Sequence, residues 1–466
     1  MYIFQILREK EFEPIPESFY GYIEDWMSWY RGKVDKFHSY RVFNGSKHIR
    51  CQRFSMGMAK KACEDWADLL MNEKVQITLE GEAEQGFIDR VFRENNFAVM
   101  GNEAQEWKAA LGTVAYVPRV AGVEIEPMSG AVKGAESIKI DFIRADGIIP
   151  LFWENGSITE CAFVSRKAVG KANYCYLQIH RLAGDGNYDI ENCLYRDSNG
   201  SLAEVELTAV PGFEQVPPVI HTGSRRRQFV IDRLNIANNL ADVPMGISVF
   251  ANAIDSLKGV DVAYDSYVNE FILGKKRIMV QPQATKNIEG EPLFDADELA
   301  FYVLPEDRGS EGLIKEIDMT LRTEEHKAGM QDMLHVLSNK CGFGENHWRY
   351  DKGTVTTATE VISSNSHMFR TLKKHEIILE AALTELCRIL LRMGNAYMGT
   401  GLDEEVEISI DFDDSIIEDK EVEFNRTLRL LSAGLINSWE ARAKLMNEDE
   451  ETAKAALPGT GINNRE

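Results

Sequence analysis

The stretch from Cys341 to Met393 most narrows what this chain can fold into. There a glycine and aromatic loop, Cys341-Gly-Phe-Gly-Glu-Asn-His-Trp-Arg-Tyr-Asp-Lys-Gly353, runs directly into one long helix. Thr357-Ala358-Thr359-Glu360 is a capping box, in which the Thr hydroxyl accepts from an N-terminal amide and the Glu three residues on reaches back. The helix is therefore expected to start sharply at that point. From Leu379 the apolar positions Leu379, Leu383, Leu386, Leu390 and Met393 alternate in fours and threes, which predicts a helix buried along one seam. Its first half, with Ser363-Ser364-Asn365-Ser366-His367 and Lys373-Lys374-His375, lacks a continuous apolar stripe and is expected to lie in a wet or subunit-lined region.

A chain of 466 residues with 44% hydrophobic content can bury a substantial core and is expected to hold two or more domains. No apolar run approaches the roughly 18 residues needed to span a bilayer, and Met1 to Lys10 lacks the order of a signal peptide, so the expectation is a soluble intracellular protein with no membrane partner. Seven scattered cysteines, Cys51, Cys63, Cys161, Cys175, Cys193, Cys341 and Cys387, offer no two-residue spacing for zinc or thioredoxin-type chemistry and read as reduced, buried thiols. The formal charge of -22 argues against tight binding of duplex DNA, which depends on Lys and Arg displacing counterions. It does not argue against DNA merely passing by.

The pattern changes along the chain. Phe19 to Leu111 reads as mostly helical, clearest at Met56 to Met71, where Ala59, Ala62, Cys63, Trp66, Leu69 and Leu70 share a face; shorter helices are expected near Phe87 to Phe92 and Glu103 to Leu111. Thr113 to about Leu207 alternates in short runs punctuated by Asp146-Gly147, Asn155-Gly156 and Asn199-Gly200, which predicts an antiparallel meander with hairpin turns. After Pro217-Pro218 and Arg225-Arg226-Arg227 the chain turns helical over Val249 to Phe271. It breaks over Gly274 to Glu316 with a strand-like Arg277-Ile-Met-Val-Gln281, and is helical again from about Thr323 to Asn339. The acidic stretch from Asp403 to Glu423 carries Ile408, Ile410 and Phe412 in strand alternation, with one face buried. The fold class is α+β.

Other chemistry finds little support. Asp185-Gly-Asn-Tyr-Asp-Ile-Glu191 misplaces the Gly and Glu of a calcium loop and reads as a hairpin tip. His375-Glu376 lacks the second His of a zinc protease helix, and His326 and His335, nine apart, share no metal-binding face. No phosphate loop of the GxxxxGK type occurs, so ATP hydrolysis would belong to a partner. Arg225-Arg226-Arg227 reads as a solvated turn or as inter-subunit salt bridges, with DNA contact the sharper alternative. No cofactor, metal or catalytic constellation is indicated. The enzyme alternative is an intracellular hydrolase or transferase built from scattered carboxylates such as Asp255, Asp261 and Asp265 on one helix.

Element order is more specific than any of these motifs. One helix enters a compact strand-bearing insert, a second leaves it, and the Cys341 to Gly353 loop leads into the long helix. That order, with Ser248-Val-Phe-Ala-Asn-Ala-Ile-Asp-Ser-Leu-Lys258, Ala263-Tyr-Asp-Ser-Tyr-Val-Asn-Glu-Phe271, Thr357-Ala-Thr-Glu-Val-Ile-Ser-Ser-Asn-Ser366, Phe369-Arg-Thr371 and, more weakly, Leu431-Ser-Ala-Gly-Leu-Ile-Asn-Ser-Trp-Glu-Ala-Arg442, resembles the portal proteins of tailed bacteriophages. These are the head-to-tail connectors of long-tailed phages that infect Gram-positive bacteria. The resemblance covers most of residues 245 to 445.

The resemblance implies a multi-domain subunit and a non-enzymatic role. Residues 1–245 would form a wing containing the antiparallel strands of about 113–207. Helices at 246–273 and 319–340 would form a stem, flanking a small strand-bearing clip at 274–318. A tunnel loop would follow at 341–356, the long helix with a returning wing strand at 357–412, and a helical crown at 413–466. Twelve copies would ring one capsid vertex of the virion, after assembly in the host cytoplasm. Double-stranded DNA would be packaged and later ejected through the channel. The terminase large subunit and then the head-tail adaptor would dock on the clip, where Lys275, Lys276 and Arg277 are the candidate contacts, and the ring would also meet major capsid and scaffolding proteins. Trp348, Arg349, Tyr350 and Lys352 are the candidate channel residues, with Thr357 and Glu360 capping the helix behind them. For Trp348 and Tyr350 the general preference of large aromatics for burial favours the alternative, that they pack the loop against the neighbouring helix.

Overall fold

The computed structural model describes residues 2–43, 45–72, 75–122, 124–125, 132–198, 200–274, 277–280, 301–303, 314–317, 320–349, 358–412, 420–446 and 450–456. Helices and sheets build a main core to which the Met58–Leu70 helix contributes one face, with a smaller separate cluster of Leu194, Leu207, Val210 and Phe213. Of the face expected to be buried there, Ala59, Ala62, Cys63, Trp66 and Leu70 are all 2% exposed or less, while Leu69 is only partly buried. The neighbouring helices Glu82–Glu94 and Phe97–Leu111 are longer than the patches that announced them. Two pairings within this N-terminal part were not anticipated. Ser39–Phe43 and His48–Gln52 form a hairpin, and Gln76–Leu79 pairs antiparallel with Ile408–Asp411, the strand expected near the C-terminal end.

The meander exists but divides between two sheets. In the six-stranded sheet the order is Ser201–Val205, Tyr188–Ser198, Ala172–Leu182, Ser157–Val169 and Ile148–Glu154, with Val219–His221 also pairing along Tyr188–Ser198. Val230–Arg233, Thr113–Ala121 and Ser137–Arg144 make a separate three-stranded sheet. Asn155 and Gly156, with φ of 48° and 76°, turn a tight hairpin between paired Glu154 and Ser157, as positive φ at both central positions requires. Asp146-Gly147 does not. It lies in a 3₁₀ turn that carries the chain from one sheet to the other, and Gly147 stands there because a Cβ would come within 2.7 Å of the Val164 carbonyl oxygen. Close approach, not turn chirality, selects that glycine. The Asp185 to Asn187 tip joins the paired residues Leu182 and Tyr188, and the Asp185 carboxylate accepts the Asn187 backbone N–H at 2.9 Å.

Lys108 and Asp232 meet where the three-stranded sheet packs on the Phe97–Leu111 helix. Both side chains are fully buried, 3.0 Å apart, and Asp232 also accepts from Gln105 at 3.0 Å and from the Tyr116 hydroxyl at 3.3 Å. Burial drives the Lys108 pKa down, and the Asp232 charge opposes that drop. A buried pair of this kind contributes little net stability but is costly to break, because either partner alone is left as an unpaired charge.

The helix, insert, helix order is present. Ile254–Leu273 packs along Thr323–Lys340, and between them Phe301–Val303, Arg277–Val280 and Ile314–Ile317 form a three-stranded sheet in that order. Glu270 ties the two helices at the insert end. It takes Arg322 in a two-pronged pair at 3.0 and 2.9 Å, with the His326 ring 3.4 Å away, and the Arg322 hydrogen bonds hold its carboxyl near a pKa of about 2. His326 is thus a partner of Glu270, not a free surface group.

The long helix runs from Ala358 to Met398, directly after Thr357. The capping side chains of Thr357 and Glu360 lie outside the described residues. Leu379, Leu383, Leu386, Leu390 and Met393 are buried as the spacing demanded. Burial begins earlier than expected, however. Met368, Leu372, His375 and Glu376 already face inward at helical spacing, so the polar residues of this half share the helix with a buried seam.

Candidate functional site

The loop ahead of the long helix is built onto the molecule's centre. Cys341 and Phe343 are each 2% exposed. The Trp66 indole N–H donates to the Cys341 carbonyl at 3.0 Å, and its ring stacks on Phe343 with centroids 4.7 Å apart. Phe343 stacks in turn on His347 at 4.4 Å and meets Trp348 at 5.1 Å. Asp65, the residue immediately before Trp66, accepts the Trp348 indole N–H at 2.8 Å, with the His347 ring at 3.0 Å. Gln331 of the second paired helix donates to the Trp348 carbonyl at 2.9 Å. Burial alone would raise the Asp65 pKa, but hydrogen bonds from His347, Lys61 and Trp348 outweigh it and hold the carboxyl below its ordinary value.

Two helices, Met58–Leu70 and Thr323–Lys340, thereby fix the first half of the loop. Trp348 is half-buried in this aromatic stack, the packing alternative weighed for it. Arg349, one residue on, is exposed. Tyr350 and Lys352 lie outside the described residues. Asp65 and Trp66 were legible only as part of an amphipathic helix, since the loop they hold lies 275 residues beyond Trp66. Behind the stack, His375 sits edge-on to Trp66 at 5.2 Å and accepts the Asn235 backbone N–H at Nδ1 across 3.1 Å. Burial, reinforced by Lys108 and Lys374, pushes its pKa down to about 3, so it stays neutral.

Of the candidate docking cations, Arg277 opens the first strand of the insert. Its side chain, and all of Lys275 and Lys276, lie outside the described residues.

The three carboxylates of the enzyme alternative do not converge. Asp261 and Asp265 are buried. Asp261 accepts from His38 Nε2 at 2.9 Å, Ser55 Oγ at 3.1 Å and the Met56 backbone N–H at 2.8 Å, and Asp265 accepts the Phe54 N–H at 3.0 Å. The pair clamps residues 54–56 onto the helix. Asp255 is exposed and pairs with Lys258 at 2.9 Å. Among the described residues no group of His, Cys, Asp or Glu is placed to hold a metal ion, and no helix is long and apolar enough to cross a membrane.

The arginine triplet is engaged within its own chain. Arg227 makes a two-pronged pair with Glu385 of the long helix, at 2.9 and 2.7 Å, and lies over the Phe229 ring. Arg226 meets Glu405 at 3.0 Å. Arg225 is exposed and, among the described residues, has no ion-paired partner.

Two packed helices around a strand-bearing insert, a loop locked to the core, and a 41-residue helix behind it stand in the order on which the resemblance to portal proteins rested. The chain belongs to the family "Phage portal protein, SPP1 Gp6-like", whose model matches residues 10–457. No curated protein matches the chain individually. As a phage portal protein it forms an oligomeric ring at a capsid vertex of the virion, contacts packaging and capsid partners, and lets DNA pass through its centre.

Proposed function

We propose that twelve copies form the ring, with residues 1–245 as wing, the Ile254–Leu273 and Thr323–Lys340 helices as stem, 274–318 as clip, 341–356 as tunnel loop, 357–412 as the long helix and returning strand, and 413–466 as crown. The observation that carries this reading is the anchored loop. Trp66 and Asp65 fix residues 341–348 to the core, so the chain from exposed Arg349 onward leaves a rigid base. A constriction needs such a base, because a loop that swings freely sets no channel diameter. Within the loop, Arg349 and Lys352 centre the strand, while Trp348 and Tyr350 shape the wall.

The charge suits a conduit. A net -22 per subunit, repeated around a ring, repels phosphate, whereas a lumen rich in Lys and Arg would gain affinity with each phosphate neutralised and brake translocation. Lys275, Lys276 and Arg277 of the clip dock first the terminase large subunit, which supplies ATP hydrolysis, and then the head-tail adaptor. The portal itself acts without a catalytic step, assembling in the host cytoplasm with scaffolding and major capsid proteins. Exposed apolar residues on the stem helices, Val262, Phe271, Met333 and Val336, are surface that ring closure would cover.

Deleting residues 348–352 tests the channel role. Rings should still assemble, but DNA filling of heads, read as packaged length per particle, should fall. Normal filling by such rings would remove the loop from the channel.

A further inference from the structure

An open cleft of about 640 Å³ lies where the long helix meets the end of the six-stranded sheet, and five arginines gather around it: Arg225, Arg226, Arg227, Arg388 and Arg392. Three are paired within the chain. Arg227 holds Glu385, while Arg226 and Arg388 share Glu405 at 3.0 and 2.9 Å. The other two are different. Among the described residues, neither Arg225 nor Arg392 has a hydrogen-bonded or ion-paired partner. Arg392 is half-buried, and its pKa is drawn down first by that burial and then by the nearby Arg226 charge, which the Glu404, Glu385 and Glu405 charges only partly oppose. A guanidinium withdrawn from water without an acceptor is costly, and the cost is relieved when an anion enters beside it. Ile377 stands at the rim of the same cleft, 65% exposed, an apolar contact next to the unpaired cations.

We propose that this cleft is one half of the joint between neighbouring subunits, and that Arg225 and Arg392 receive Asp or Glu side chains from the adjacent copy of this chain. The assignment rests on the ring described above. Closed rings of identical subunits are made by heterologous contacts, in which one patch meets a different patch on the next copy. A basic cleft therefore calls for an acidic opposite face, and this chain carries 74 acidic against 52 basic residues. Two-pronged guanidinium to carboxylate pairs also fix orientation, which a ring of defined closure needs. DNA phosphate is the competing anion, and the test separates it.

Rings carrying Arg392→Lys or Arg225→Lys, assembled from an equal mixture of isotopically light and heavy subunits, are treated with a water-soluble carbodiimide, which couples an amine to a touching carboxylate. Cross-linked peptides that join position 392 or 225 to a carboxylate with mixed isotope labels are expected. Links of one label only, or no link in well-formed rings, would overturn the assignment. In parallel, Arg225→Glu combined with Arg392→Gln should weaken ring association at least tenfold by light scattering, with monomer melting unchanged. Unaltered association, or a loss confined to binding of short duplex DNA, would equally count against it. Wild-type protein that never forms rings would strike the ring itself, whereas rings without the cross-link strike only this cleft.

Discussion

The carboxylate of Asp65 accepts the indole N–H of Trp348 at 2.8 Å, joining a helix near the start of the chain to the loop that precedes the long helix. The same oxygen takes His347, and the next residue, Trp66, holds the Cys341 carbonyl. Four loop residues thus depend on two adjacent side chains of one helix.

Replacing Asp65 with Ala leaves the Trp348 N–H without its acceptor and frees the His347 ring. The expected cost is about 1 to 3 kcal/mol. Hydrogen exchange should accelerate in the peptide covering residues 343–349 while the Leu379 to Met393 segment keeps its protection. Equal acceleration in both would show that the contact supports global stability and not the loop.

Asp261 and Asp255 lie on the same helix and should behave oppositely. Asp261→Ala strands His38, Ser55 and the Met56 N–H in a buried site, so a loss of about 3 kcal/mol or more is expected in urea unfolding. Asp255→Ala removes only an exposed pair with Lys258 and should leave the unfolding midpoint where it is. Similar losses from both would contradict the clamp.

His180 is fully buried between Phe163 and Phe229, neither ring nitrogen has a partner, and burial pushes its pKa down to about 3. The folded pKa lies below the ordinary 6.5, so the unfolded chain takes up the proton first. Stability is therefore full above about pH 6.5 and falls as pH drops toward 3, by about 2 kcal/mol between pH 7 and pH 5 for a group of this kind. His375 acts in the same direction over the same window. His180→Leu should raise the melting temperature and flatten the pH dependence. A lower melting temperature with an unchanged slope would refute this.

How much of this was legible in the sequence follows from which interactions are local. The seam from Leu379 to Met393 and the Asn155-Gly156 hairpin depend on residues a few positions apart, and they appear where expected. Asp146-Gly147 has the same composition as a hairpin turn, but the chain changes sheets there because Gly147 must pass close to Val164, a partner that no local pattern reveals. The hairpin of Ser39–Phe43 with His48–Gln52 was hidden for another reason. Its residues are mostly exposed on both faces, so the alternation that marks a half-buried strand is missing. The aromatic anchor around Trp66 combines the two difficulties. Each partner looked like ordinary helix or loop, and only the fold brings Asp65, Trp66 and His375 to Phe343 and Trp348.

The mass of the purified, assembled particle tests the central claim most directly. Light scattering and negative-stain images should give a ring of about twelve subunits with a central hole. A monomer at every concentration and salt would contradict it.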